Sequence, residues 1–257
     1  MERILEKKGF ICDMDGVIYH GNKVLDGVVE FINWMIDNDK KFVFLTNSPE
    51  KTPHELSMKL ERMGLKVSAE HFYTSAMATA AFLSSQKPGC TAYVIGEAAL
   101  TKALYDQGIY MNDVNPDYVV VGETRTYNFE KIEKAIELVL KGAKLIGTNP
   151  DITGPTERGL MPATGSRIAP IEIATGKKAY FVGKPNPLML RHGLNKLDCH
   201  SEEIAFIGDR MDTDIIAGIE SNVDTVLVLS GVTSLEDIDK FPYRPKYILN
   251  NVGEILK

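Results

Sequence analysis

The sequence has little of what a disulfide-bonded, membrane-spanning or nucleic-acid-binding protein needs. Its three cysteines, Cys12, Cys90 and Cys199, are odd in number and far apart, which indicates buried thiols and not a disulfide framework or a Cys-x-x-Cys metal site. The five histidines show no His-Glu-x-x-His spacing, so the sequence does not carry that zinc-hydrolase motif.

Long apolar runs and a basic surplus are also missing. No run approaches the roughly 18 apolar residues of a membrane helix, and the N-terminus has no apolar stretch of the kind found in secretion signals. With 29 Lys and Arg against 35 Asp and Glu, the net charge is −6, and no basic cluster stands out to replace phosphate counterions. We therefore expect a cytoplasmic protein that binds neither a membrane nor nucleic acid.

What is present is the pattern of an α/β protein. The 257 residues are 44% hydrophobic and 25% charged, and short apolar runs alternate with amphipathic stretches, which is typical of β-α units with a parallel sheet. DGVVEFINWMIDNDK predicts a helix and the following KFVFLTN a strand. In TPHELSMKLERMG, Thr52 and Glu55 form a predicted capping box and Gly64 ends the helix.

Polar side chains follow four of the predicted strands. In an open parallel sheet the carboxyl ends of the strands share one edge, which is where ligands bind. If the four strands are neighbours, their terminal side chains converge there. These side chains are Asp13 with Asp15 after the first strand, Thr46 with Asn47 after the second, Lys184 after AYFVG, and Asp209 after EEIAFIG.

This combination suits attack of a carboxylate on a phosphoryl group, for which aspartate is a known covalent nucleophile. Two unit charges about 4 Å apart repel by about 4 kcal/mol at an effective dielectric of about 20, so cations must offset the repulsion. Lys184 and a divalent ion held by Asp13 and Asp209 would supply them, and Mg²⁺ prefers such oxygen ligands. The Thr46 hydroxyl would bind a phosphoryl oxygen, while Asp15 would donate a proton to the leaving oxygen.

Four segments resemble the motifs of the haloacid dehalogenase-like (HAD-like) phosphohydrolases. The family motifs DxDG(V/T), (T/S), K and GDxxxTD occur in the same order in this chain. They appear as DMDGV at 13–17, TN at 46–47, GKPNP at 183–187 and GDRMDTD at 208–214. The resemblance covers essentially the whole chain.

The chain is similar, more narrowly, to the NagD-like branch of this family, through DGVIYHG, TNSP, TNPD at 148–151 and TGSRIAPIEIATG at 164–176. The resemblance implies a Rossmann-like core with a parallel sheet, formed by 1–76 and 182–257. It also implies a large α/β cap domain at 77–181, inserted between the second and third motifs. A homodimer through the cap is a further expectation from the branch.

The resemblance implies a function and a role for each matching residue. The expected function is a Mg²⁺-dependent phosphatase that hydrolyses small phosphomonoesters, either sugar phosphates or nucleoside monophosphates, through an aspartyl-phosphate intermediate. The implied roles are Asp13 as nucleophile and metal ligand, Asp15 as acid/base and as a metal ligand through its backbone carbonyl, Asp209 as the third metal ligand, and Thr46, Asn47 and Lys184 as phosphate-binding residues.

Three further positions keep two explanations each. Asp214 is expected to orient Lys184 or a metal-bound water, or else to cap the following helix. Asp212 lies between motif positions and is expected to be solvated or to cap a helix. Arg167 is predicted to bind an anionic or polyol part of the substrate, or else to be a surface or structural arginine.

Other function classes are disfavoured. A non-catalytic sensing or regulatory protein on the same fold is the main alternative, but it would have little reason to retain Asp15 and Lys184 beside Asp13 and Asp209. A dehalogenase needs neither the second aspartate nor a magnesium ligand. A phosphomutase or phosphonate hydrolase would be expected to carry its cap in the short gap between the first two motifs. The physiological substrate stays open at this point.

Overall fold

The computed structural model describes residues 2–156 and 159–257. The chain forms two compact units. The first unit comprises Met1–Thr46, Leu56–Tyr73 and Lys184–Lys257, and the second comprises Asn47–Glu55 and Thr74–Gly183. The insertion at 77–181 falls inside the second unit. That unit also includes segment 47–55, which lies in the part of the chain, 1–76, that the resemblance assigns to the core.

The strands alternate with helices along most of the chain. In chain order the strands are β1 Gly9–Cys12, β2 Tyr19–His20, β3 Lys23–Val24, β4 Lys41–Thr46, β5 Phe72–Thr74, β6 Thr91–Ile95, β7 Tyr110–Met111, β8 Tyr118–Val121, β9 Lys144–Gly147, β10 Thr153–Thr156, β11 Gly159–Pro162, β12 Tyr180–Phe181, β13 Ile204–Gly208, β14 Asp224–Val228 and β15 Tyr247–Leu249.

The helices follow the same order. They are α1 Glu2–Leu5, α2 Val28–Asp37, α3 Pro53–Arg62, α4 Ser75–Gln86, α5 Ala98–Asp106, α6 Phe129–Leu140, α7 Thr164–Thr175, α8 Pro187–Leu197 and α9 Ile216–Glu220, and α9 follows a π-helical turn at Met211–Ile215. Among the described residues, no helix combines the length and the apolar content that crossing a bilayer would require.

The first unit is built on a parallel sheet. Within the described residues it has six strands in the order β15-β14-β13-β1-β4-β5, and the pairings from β15 through β4 are parallel. Every residue of β1 and β13 is buried. Buried parallel strands are covered on both faces, which is why they read as continuous apolar runs in the sequence. Because β1 and β13 are neighbours, residues 13 and 209 lie just beyond the ends of adjacent strands.

The second unit has its own parallel sheet. Its described part contains five strands in the order β12-β9-β8-β6-β7, with parallel pairing throughout. Helices α6 and α7 pack against it through an apolar cluster that includes Val119, Leu138 and Ile171. The antiparallel hairpin β10–β11 stands apart from this sheet. The α/β class predicted from the sequence is confirmed in both units.

Two helix starts show how local sequence shapes the fold. The predicted capping box forms at α3, where the Glu55 carboxylate accepts from the Thr52 N–H at 2.7 Å and the Thr52 hydroxyl accepts from the Glu55 N–H at 3.2 Å. The helix that follows the GDRMDTD motif differs, because its first turn is π-helical. There the Ile215 N–H donates to the carbonyl of Arg210, five residues earlier, at 3.1 Å.

Candidate active site

The carboxyl edge of the first unit's sheet brings together Asp13, Asp209 and Asp214. One carboxylate oxygen from each lies within 4.8 Å of the others. Cys12 pairs with Ile207 across β1 and β13, so Asp13 and Asp209 leave their strands almost level with each other. Residues that lie about 200 positions apart in the sequence therefore share one polar cluster.

Lys184 lies inside this cluster and is 2% exposed. Its Nζ is 2.7 Å from Asp13 Oδ1 and 2.8 Å from Asp214 Oδ1, and it donates to the Leu45 carbonyl at 3.3 Å. Burial by itself lowers the pKa of Lys184, but the two carboxylates outweigh it and raise that pKa above its ordinary value. Lys184 thus stays charged at neutral pH and stabilises the buried carboxylate of Asp214 and the partly buried carboxylate of Asp13.

Asp214 organises the turn that carries Asp209. Its Oδ2 accepts from the N–H of Asp209 at 3.2 Å and from the N–H of Arg210 at 3.1 Å, while its Oδ1 faces Lys184. Burial raises the pKa of Asp214 to about 6, although the Lys184 charge opposes this. These contacts place Asp214 beside Lys184. The nearby Asp212 is instead half exposed and pairs with Arg210 at 2.8 Å.

Two glycines make room for the Asp209 carboxylate. A Cβ on Gly231 would lie 2.0 Å from Asp209 Oδ2, and one on Gly16 would lie 2.5 Å from the same oxygen. Oδ2 accepts from the Val232 N–H at 2.7 Å. Oδ1 is buried and accepts no hydrogen bond from any described residue. The backbone therefore closes around one oxygen of Asp209 and leaves the other without a donor.

These residues fit a divalent cation. A buried carboxylate oxygen without a partner is costly unless a cation or donor satisfies it. With all groups ionised, the three aspartates carry two more charges than Lys184 neutralises, and burial together with the charges of Asp214 and Asp13 raises the pKa of Asp209 well above its ordinary value. The donor set is oxygen only, which suits hard cations. Since both oxygens of Asp214 already have partners, Lys184 and two backbone N–H groups, Asp13 and Asp209 are the two side chains of this cluster that could hold a metal ion.

Asp15 lies two residues beyond Asp13 and is exposed. The surrounding protein partly removes it from water and thereby raises its pKa, while the charges of Lys59 and His20 lower it. The Nζ of Lys59 lies 3.6 Å from the ring centroid of Tyr19. The net direction, a raised pKa, is the one that a proton-donating carboxyl group requires.

The predicted phosphate-binding pair, Thr46 and Asn47, spans the boundary between the units. Thr46 ends β4 and belongs to the first unit, whereas Asn47 begins the segment that belongs to the second. The Asn47 Nδ2 donates to Asp151 Oδ2 at 2.9 Å, and the Asn47 carbonyl accepts from the Asn149 Nδ2 at 2.9 Å. Thus two residues of the TNPD segment hold Asn47.

Arg167 lies in the second unit, on α7, and is 7% exposed. Its guanidinium donates to the carbonyl of Thr124, and its own carbonyl accepts from the Tyr127 hydroxyl. These contacts tie α7 to the loop after β8. Binding of substrate by Arg167 stays a prediction.

Several residues that shape these sites were not predicted from the sequence. The role of Gly16 and Gly231 is visible only in the structure, because a Cβ at either position would collide with the Asp209 carboxylate. Glu123 and Asn149 are buried polar residues that follow β8 and β9. A polar side chain after an apolar run, the pattern that singles out Asp13 and Thr46, is present for both of them. The same pattern singles out Lys184, but the strand before it, β12, belongs to the second unit's sheet and does not neighbour β1, β4 or β13, so the expectation of four neighbouring strands is wrong for Lys184.

Comparisons with known proteins agree with the motif resemblance. A sequence profile described as "Haloacid dehalogenase-like hydrolase" matches residues 10–110, and a second, described as HAD-hydrolase-like, matches residues 181–255. The chain is 47% identical over 246 residues to dihydroxyacetone phosphatase of Corynebacterium glutamicum (strain R), covering 96% of this chain and 90% of the relative.

Two further similarities cover nearly the whole chain. Ribonucleotide monophosphatase NagD of Escherichia coli (strain K12) is 48% identical over 248 residues, covering 96% of this chain and 98% of the relative. A solved structure of a 4-nitrophenylphosphatase from Thermotoga maritima superposes with a TM-score of 0.94 at 34% identity, covering 98% of this chain and 97% of that one.

Proposed function

Because this chain belongs to the NagD-like branch of the HAD-like hydrolases and is a phosphoric monoester hydrolase, we propose that it is a Mg²⁺-dependent phosphatase of small phosphomonoesters. Sugar phosphates and nucleoside monophosphates are the substrate classes we expect. The names of two relatives, a dihydroxyacetone phosphatase and a ribonucleotide monophosphatase, support this range. We further assign the first unit as the catalytic core and the second as the cap that supplies substrate contacts.

The first step transfers the phosphoryl group to Asp13. One oxygen of Asp13 is paired with Lys184, and the other attacks phosphorus, so that an Asp13 O–P bond forms while the ester P–O bond breaks. Asp15 gives its proton to the leaving oxygen, which departs as an alcohol. Lys184, the Thr46 hydroxyl and Asn47 bind the phosphoryl oxygens, whose negative charge Lys184 partly offsets.

The second step hydrolyses the aspartyl phosphate. Water attacks phosphorus and gives a proton to Asp15, which is now a carboxylate, and the Asp13 O–P bond breaks to release inorganic phosphate. Asp13 and Asp15 thereby return to their starting states. Asp13, Asp209 and the backbone carbonyl of Asp15 would hold Mg²⁺, which would supply positive charge to the phosphoryl oxygens when bound.

One observation carries the proposal. A buried lysine ion-paired with Asp13 lies beside the buried oxygen of Asp209 that has no donor among the described residues, so the cluster would supply a nucleophile, a fixed cation and a place for a second cation. A protein that only sensed phosphate would not need Asp15 next to such a nucleophile. Asp214 would serve by fixing Lys184.

The test is phosphate release from sugar phosphates, nucleoside monophosphates and p-nitrophenyl phosphate, with Mg²⁺ or with EDTA. We expect turnover in Mg²⁺ only, and its loss by at least about 10³-fold in Asp13→Asn, because the carboxamide is a far weaker nucleophile. Lys196→Met, on the α8 surface, is the control. Turnover that survived Asp13→Asn would show that Asp13 is not the nucleophile.

A further inference from the structure

The second unit contains a buried hydrogen-bonded chain that ends on Asn47. Glu123 and Asn149 are 8% and 0% exposed, and the Asn149 Nδ2 donates to Glu123 Oε1 at 3.3 Å. The same Nδ2 donates to the Asn47 carbonyl at 2.9 Å. The Ser75 hydroxyl, also buried, donates to that carbonyl at 2.5 Å. The main chain of Asn47 is therefore anchored by side chains that come from two distant parts of the sequence.

The Asn149 amide can serve this purpose in only one orientation. Its Nδ2 donates to Glu123 Oε1 and to the Asn47 carbonyl, with a longer contact of 3.5 Å to the Thr148 hydroxyl, and its Oδ1 accepts from the Asp151 N–H at 3.1 Å. Rotating the amide by 180° would set its oxygen against both acceptors and its NH₂ against an N–H donor. Asp151, held in this way, accepts from the Asn47 Nδ2 at 2.9 Å. Asn149 thus supports both the main chain and the side chain of Asn47.

Close packing leaves this arrangement little freedom. A Cβ on Gly183 would lie 2.7 Å from Asn47 Oδ1 and 2.9 Å from the Asn149 Cβ. A Cβ on Gly122 would lie 3.2 Å from Pro49, two residues after Asn47. Asn47 and Pro49 therefore pack against residues that follow strands β8, β9 and β12.

We propose that Glu123 is a positioning residue for phosphate binding: its carboxyl oxygen fixes the Asn149 amide, which holds Asn47 in place for the phosphoryl group. This inference rests on the proposed function, in which Asn47 contacts phosphate. It adds a residue that touches neither phosphate nor metal.

The surroundings of Glu123 bring the pKa of its carboxyl group close to neutral pH. Burial raises the pKa of Glu123 to about 7, and the carboxylates of Glu50 and Asp151 act in the same direction. The Asn149 hydrogen bond and the positive charge of Arg167 oppose them. An acceptor carbonyl remains in both protonation states, so the hydrogen bond from Asn149 does not depend on ionisation.

The experiment measures two constants in the full-length protein with Mg²⁺: KM for p-nitrophenyl phosphate, and Ki for inorganic phosphate, which has no leaving group. In Glu123→Leu, which keeps the volume but removes the acceptor, we expect both constants to rise by the same factor, about fivefold, with kcat changed less than about twofold. Glu123→Gln retains an acceptor oxygen and is expected to keep both constants within about twofold. The exposed Glu133 on α6 provides the matched control, Glu133→Leu.

A second variant tests the route through Asn149. Asn149→Asp removes both N–H donors with little change in shape, so it is expected to raise KM and Ki as Glu123→Leu does, and the double variant is expected to add less than about twofold. If Glu123→Leu does not fold, Glu123→Ala, which also removes the acceptor oxygen, replaces it in both comparisons.

The outcomes separate this inference from the proposed function. Unchanged constants in Glu123→Leu and Asn149→Asp, fully additive effects, or a rise in KM without a rise in Ki would overturn the positioning role and leave the phosphatase assignment intact. If Asn47→Ala leaves Ki for phosphate unchanged, the contact between Asn47 and phosphate fails and the inference fails with it. A wild-type protein that neither releases phosphate nor is inhibited by it would contradict the proposed function itself.

Discussion

At the scale of single residues, charged groups lie at buried positions, where the loss of hydration is unfavourable. Lys184 is buried between Asp13 and Asp214, and Asp209 keeps a buried oxygen with no donor among the described residues. A charge in such surroundings persists only when a partner offsets its lost hydration. The cluster is thus poised for further positive charge, and its parts depend on one another.

Glu123 makes stability depend on pH. Its pKa is about 7 in the folded protein and close to 4.5 in the unfolded chain, so between these values the folded state binds more protons. The contribution is complete below about pH 4.5 and is lost as the pH rises through 7, by up to about 3 kcal/mol. Glu123→Gln, which does not titrate, is therefore expected to lose less stability than wild type between pH 5 and 8.

Urea unfolding of both proteins at several pH values measures this difference. As the pH rises, the urea midpoint of Glu123→Gln is expected to increase relative to that of wild type. The exposed control Glu133→Gln should show no such trend. A gap that stayed constant across the range would mean that Glu123 does not titrate near neutral pH.

Gly231 offers a test of the Asp209 cradle. In Gly231→Ala the new methyl group would lie 2.0 Å from Asp209 Oδ2, so the carboxylate must move. We expect affinity for Mg²⁺ and turnover to fall by at least about tenfold, as for other losses of support around a metal ligand. Gly154→Ala, where a Cβ meets nothing within 4 Å, is the control. Normal Mg²⁺ activation of Gly231→Ala would argue against Asp209 as a ligand.

At the scale of elements, short-range hydrogen bonds determine where helix α3 begins. The capping box at α3 was read from Thr52 and Glu55 alone and is confirmed, because both partners lie within one helical turn. The π-helical turn at Met211–Ile215 was not predicted. It depends on Asp214, whose carboxylate turns back to the N–H groups of residues 209 and 210 and to Lys184.

The N-terminal capping hydrogen bond of α3 contributes measurably to stability. Thr52→Ala removes the side-chain oxygen that accepts from the Glu55 N–H, and a lost cap of this kind costs about 1 kcal/mol. We expect a lower urea midpoint for Thr52→Ala and a nearly normal one for Thr52→Ser, which keeps the hydroxyl. Equal midpoints for Ala and wild type would show that the capping hydrogen bond adds nothing to stability.

At the scale of the whole molecule, metal binding should be visible as stability. A ligand that binds only the folded state at ten times its Kd adds about 1.4 kcal/mol. Mg²⁺ is therefore expected to raise Tm by a few degrees, and EDTA to reverse the rise. Asp209→Asn should lose the response to Mg²⁺, whereas Asp212→Asn, which alters the exposed neighbour, should keep it. The same Mg²⁺ response in Asp209→Asn and wild type would contradict the proposed site.

The division of the chain also belongs to this scale. The family resemblance implies an insertion at 77–181, and the longer segment of the second unit is Thr74–Gly183. Segment 47–55 joins that unit as well. No local sequence pattern predicts that segment 47–55 belongs to the second unit. Its attachment depends on hydrogen bonds from Ser75 and Asn149 to Asn47, which are distant in the sequence.

The sequence by itself determined the α/β class, the capping box of α3 and the list of chemically useful side chains that follow predicted strands. These follow from short-range rules: apolar periodicity, hydrogen bonds within one helical turn, and the shared edge of parallel strands. Only the tertiary structure decided that Lys184 lies between Asp13 and Asp214, that Gly231 gives Asp209 its room, and that Glu123 reaches Asn47 through Asn149. These contacts join residues far apart in the chain, and their energies depend on burial and orientation, which exist only once both sheets have formed.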